Sequence, residues 1–77
     1  MKELIEFIAK SLVDDENAVV VSQSTHGSRV KLELKVAKED MGRVIGKNGR
    51  IINSIRTLLR ISAEKENRQV TLDVVEP

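Results

Sequence analysis

Leu4, Ile5, Ile8 and Leu12 recur at helical spacing, with Lys2, Glu3, Glu6 and Lys10 between them. The pattern predicts an amphipathic helix over residues 2–13. Asp14-Asp15-Glu16-Asn17 breaks it, and the Val- and Ser-rich stretch 18–24 then suits a strand. Thr25-His26-Gly27-Ser28 reads as a turn, with Gly27 free to take a positive φ. From Arg29 to Val36 the alternation is strict. Val30, Leu32, Leu34 and Val36 face one way, and Arg29, Lys31, Glu33 and Lys35 the other. This is a half-buried strand, paired antiparallel with the one before it.

Residues 38–45 predict a short helix ended by Gly46, and a longer helix follows over about residues 49–63. Projected at roughly 100° per residue, Ile51, Ile52, Ile55, Leu58, Leu59 and Ala63 form one apolar arc. Arg50, Asn53, Ser54, Thr57 and Arg60 lie opposite, and Ile61 projects onto that polar side, where it caps the next loop or meets another subunit. After a polar loop at 64–68, Val70, Leu72 and Val74 alternate with Thr71 and Asp73 in a last strand. The order is α-β-β-α-α-β. Strands 29–36 and 69–75 are joined by a two-helix crossover, so if adjacent they run parallel. The expected fold class is α+β: a three-stranded mixed sheet with helices on one face.

The 77 residues suffice for one domain, 1–77, and not for two. The 13 basic and 12 acidic residues leave a net charge of +1, which by itself points to no polyanionic partner. Their distribution is more telling. Met41 to Ala63 holds no acid but five bases, Arg43, Lys47, Arg50, Arg56 and Arg60, so one face can be basic while the whole is nearly neutral. There is no cysteine, hence no disulfide or thiolate metal site. No stretch approaches the ~20 apolar residues of a membrane span, and the first twelve residues lack the apolar run of a signal peptide. A soluble, cytoplasmic protein with no membrane partner is expected.

Gly46-Lys47-Asn48-Gly49 joins the two predicted helices. Two glycines allow a sharp turn and a close approach without Cβ obstruction. The second glycine opens a helix, whose unpaired N–H groups favour an anion. Lys47 and Arg50 add charge beside those amides, and Arg43 stands one helical turn before Gly46. The arrangement suits phosphate. A bare G-x-x-G arises by chance in about one chain in three of this length, and a tight helix–helix turn would account for it equally well. The Walker loop and the dinucleotide fingerprint are both absent.

The surroundings add weight. Gly42-Arg43-Val44-Ile45-Gly46-Lys47-Asn48-Gly49-Arg50, followed by Ile52 and Ile55, resembles the V-I-G-x-x-G-x-x-I core of the KH domain family, whose loop clamps about four nucleotides of a single strand. The element order matches the type II KH fold over the full chain. Size and the run G-R-V-I-G-K-N-G-R resemble the small bacterial single-KH RNA-binding proteins of the KhpA (YlqC) family. The resemblance implies a groove walled by Val44, Ile45 and the helix start at Arg50, with Asn53 on the same helix, and on the other side by the last strand and the loop 64–68. It implies single-stranded RNA as ligand, a role as RNA chaperone or post-transcriptional regulator, and a second KH-containing protein as partner.

Phe7 is the one aromatic residue, and it belongs to the first helix. Stacking on aromatic rings, worth roughly 1–3 kcal/mol per base, is thus missing from the groove. Modest affinity follows, which favours a homodimer or heterodimer. His26 stands alone in a turn, and Asp14-Asp15-Glu16 lacks the spacing of a calcium loop. No catalytic residue, metal ligand or cofactor is assigned, and no enzyme is expected. Two alternatives stay open: an assembly subunit acting mainly through protein–protein contact, and single-stranded DNA in place of RNA.

Overall fold

The computed structural model describes residues 1–76. In chain order its elements are α1 (Lys2–Leu12), β1 (Val20–His26), β2 (Arg29–Lys35), α2 (Met41–Ile45), α3 (Arg50–Lys65) and β3 (Gln69–Val75), with 3-10 turns at Glu16–Ala18, Lys38–Asp40 and Lys47–Gly49. The sheet order is β1-β2-β3. β1 pairs antiparallel with β2, and β2 pairs parallel with β3. The expected α+β fold with a mixed three-stranded sheet is what the chain adopts.

Alternation along β2 decides where the core lies. Val30, Leu32 and Leu34 are buried, while Arg29, Lys31 and Lys35 are exposed on the opposite face. The parallel register sets Val30, Leu32 and Leu34 beside Val70, Leu72 and Val74. Against this apolar face pack Ile5 and Ala9 of α1, Val44 of α2, and Ile52, Ile55 and Leu59 of α3. Each large side chain buried there, such as Leu32 or Leu59, contributes roughly 1.5–3 kcal/mol.

Several boundaries differ from the expectation. β1 starts at Val20 because residues 16–18 form a turn, and it runs on to His26 because the hairpin closes over only Gly27 and Ser28. Gly27 has φ +60° and Ser28 does not, as in a type II′ turn. The helix expected at 38–45 is split into a 3-10 turn and the five-residue α2. α3 continues two residues past the expected end, to Lys65. It stops where Asn67, at φ 56°, lets the Arg68 N–H donate to Ala63 O at 2.9 Å and the Asn67 N–H to Glu64 O at 3.1 Å, a Schellman closure.

The apolar arc of α3 is narrower than its projection. Ile52, Ile55, Leu59 and Ala63 are buried, but Ile51 and Leu58 are 36% and 55% exposed. A helix on a sheet buries only the stripe that meets it, and these two side chains flank that stripe. Ile61, 49% exposed, lies on the same flank, three residues after Leu58.

Candidate nucleic-acid interface

The G-x-x-G segment is a left-handed corner between α2 and α3. α2 closes when the Gly46 N–H donates to Gly42 O at 2.9 Å, and Gly46 then turns to φ 77°, ψ 173°. Asn48 follows at φ 56° and Gly49 at φ 73°. Each glycine has its own reason. At Gly46 a Cβ would stand 2.6 Å from Ile51 Cγ1, so both space and φ demand glycine. At Gly49 a Cβ would meet Asn53 Nδ2 at an ordinary 3.5 Å, and φ alone makes the demand. Asn48 is among the few other residue types that visit this region routinely. The corner leaves Lys47 and Asn48 exposed and makes Gly49 the N-cap of α3, with no side chain capping it. The Gly49 and Arg50 N–H groups are taken by the 3-10 turn, donating to Gly46 O at 3.2 Å and to Lys47 O, while the positive end of α3 is open beside Lys47 and Arg50.

A polar row leads from the corner along α3. Asn53 adjoins Gly49. Arg56 Nη1 donates to Asn53 Oδ1 at 3.3 Å, and Arg56 Nε donates to Leu72 O of β3 at 3.0 Å. The row ends at a depression of about 310 Å³ between α3 and β3, lined by Arg56, Leu59, Arg60 and residues 70–73. β3 forms one wall of this depression. Loop 64–68, Ile45 and Arg50 do not line this depression. Among the described residues no acid forms an ion pair with Lys47, Arg50, Arg56 or Arg60.

Two expected site residues are placed differently. The Val44 side chain is fully buried and belongs to the core: on a helix as short as α2, it is the residue turned toward the sheet. It cannot form a groove wall, whereas Ile45 is half-buried. Arg43 is held by acids. Its Nη2 lies 3.1 Å from Asp14 Oδ2 and its Nε 3.5 Å from Asp40 Oδ1. A guanidinium neutralised by two carboxylates has little charge left for phosphate.

Asp40, which the sequence reading did not single out, organises that corner. It is buried and accepts the N–H groups of Asp14 at 3.2 Å and Asp15 at 3.1 Å, tying the end of α1 to the start of α2. Only its spacing of three from Arg43 was visible in the sequence. The sequence marks Arg56 only as one of five bases, and its bond to Leu72 O has no local signal. Among the described residues no group of three acidic, histidine or cysteine side chains could hold a metal ion, and no helix is long and apolar enough to cross a membrane.

Comparison with known proteins bears on the same elements. The family model described as "KhpA/KhpB, KH domain" matches residues 2–74. The RNA-binding protein KhpA of Clostridium acetobutylicum is 53% identical over 75 residues, which cover 97% of this chain and all of the relative. Its namesake in Clostridium perfringens is 51% identical with the same coverage. The RNA-binding protein KhpA of Borreliella burgdorferi is 47% identical over 74 residues, covering 96% of this chain and 90% of that one. Topology, the G-x-x-G corner and these matches agree: the chain belongs to the KhpA/KhpB family of KH domains.

Proposed function

We propose that residues 1–77 act as one cytoplasmic KH domain that binds single-stranded RNA. The exposed corner carries this reading: Lys47 and Asn48 at a left-handed turn, with Gly49 and Arg50 opening α3 toward an anion. The names of the relatives, RNA-binding protein KhpA, support the same ligand. In this arrangement Gly46 to Arg50 grip a phosphate of the backbone. Asn53, Arg56 and Arg60 receive the next nucleotides, and the half-buried aliphatic side chains of Ile45 and Val70 carry the bases. Such a grip recognises about four nucleotides, too few to choose a transcript tightly, and suits a chaperone or regulator that samples many RNAs.

The test is the double substitution Lys47→Asp/Asn48→Asp. Both side chains are exposed and both glycines remain, so the protein stays folded while carboxylates take the place of phosphate. RNA binding is lost. Undiminished binding by the folded variant would overturn the grip.

Pairing with a second KH domain, in a homodimer or with another KH-containing protein, is part of this reading. Exposed Ile51, Leu58 and Ile61 form an apolar strip on the flank of α3 away from the groove row. The edge of β3 is the poorer candidate for contact, because Arg56 already occupies Leu72 O.

A further inference from the structure

The face of the sheet turned away from the helices is sorted by charge. At its hairpin end the register sets His26 beside Arg29, Arg29 beside Gln69, Ser24 beside Lys31 and Lys31 beside Thr71. The next row is acidic, with Glu33 beside Ser22 and Asp73. The basic end is a depression of about 450 Å³ lined by Ser24, His26, Arg29, Val30, Lys31, Gln69 and Thr71. It contains two cations and four groups able to donate a hydrogen bond, and no carboxylate. Among the described residues neither Arg29 nor Lys31 has an ion-pair partner.

Its position gives it a meaning. Thr71 lines this depression and also the one between α3 and β3. The two meet across a single edge strand, a step of about 5 Å. Asp73, at the other end of the groove's β3 wall, together with Glu33 repels phosphate and leaves the Gln69–Thr71 end as the exit.

We propose that a single strand longer than the groove leaves it over Thr71 and sets a backbone phosphate in this sheet-face pocket, held by Arg29 and Lys31 with donors from His26, Ser24 and Gln69. The inference rests on the groove reading above and extends the nucleic-acid path to the face of the sheet that carries no helix. Phosphate is the ligand because the polar groups of the pocket are two cations and four donors with no carboxylate, and Val30, the apolar residue of its lining, is itself buried. An acidic segment of a protein is the competing occupant.

Fluorescence-anisotropy titrations with random-sequence single-stranded RNA pools, one four and one ten nucleotides long, test this on the full chain. The parent binds the longer pool about tenfold more tightly than the shorter, the effect of about one well-placed charge-assisted contact. Arg29→Gln/Lys31→Gln, two exposed positions, abolishes that gain and leaves affinity for the short pool unchanged. With the one phosphate contact removed, the log–log salt slope for the longer pool becomes shallower by about 0.7, at roughly 0.7 per phosphate. A variant that keeps the gain overturns the proposal, since the extra affinity then comes from elsewhere, such as the groove of a second copy. A parent without any gain overturns it too, and leaves the pocket to an acidic peptide. Failure of the parent to bind either pool would remove the groove reading itself, a distinct result.

Discussion

Ile51 lies against Gly46 so closely that a Cβ on the glycine would stand 2.6 Å from Ile51 Cγ1. The first turn of α3 is thereby seated on the last residue of the α2 cap. The angle between the two helices, and with it the exposure of Lys47 and Asn48, depends on that contact. Gly46→Ala should cost about 3 kcal/mol, combining the left-handed φ with overpacking against Ile51. Gly49→Ala, which meets only strain in φ, should cost about 1 kcal/mol. Urea denaturation of the two variants checks the order, and equal losses would contradict the contact.

Asp40 and Arg43 are expected to part company. Asp40→Ala strips two backbone N–H groups and a guanidinium of their acceptor at a buried site, a loss of about 3 kcal/mol. Arg43→Met removes the exposed pair with Asp14 and the longer contact to Asp40, which keeps its two backbone N–H donors, and should cost only about 1 kcal/mol. RNA affinity stays at the parental value in Arg43→Met, because the guanidinium is already committed to Asp14 and Asp40. A clear fall in RNA binding there would place Arg43 in the interface after all.

Arg56 has two jobs where Arg60 has one. Arg56→Met leaves Leu72 O and Asn53 Oδ1 without their donor and should lower stability by about 1 kcal/mol as well as weakening RNA binding. Arg60→Met should weaken RNA binding alone, with its log–log salt slope shallower by roughly 0.7. Thermal melts and titrations at several salt concentrations separate the two.

Leu58→Lys/Ile61→Lys puts charge on the apolar strip of α3 without touching the buried stripe. Denaturation of the dilute protein should be unaffected, while sedimentation at high protein concentration shifts to the monomer. A parent that is itself monomeric at every concentration would exclude the homodimer and leave a different KH-containing chain as the partner.

Period and punctuation carried most of the fold. Strict alternation from Arg29 to Val36 determined which face of β2 is buried, because successive side chains of a strand must point to opposite faces. The spacing of Ile52, Ile55 and Leu59 determined the buried stripe of α3 by the same kind of local geometry. Gly46 and Gly49 marked the corner, since few other residues tolerate its positive φ. What the sequence could not decide depends on how elements distant in the chain rotate against one another. The seating of α3 on the sheet left Ile51 and Leu58 outside an arc that their periodicity shares with the core. Arg43 was claimed by Asp14, far away along the chain at the end of α1, and Val44 by the core. Arg56 found a backbone carbonyl on β3, an acceptor every residue carries and no residue type announces. Local geometry repeats with each residue and is written in the pattern; the pairing of particular side chains across the fold exists only once the helices have docked.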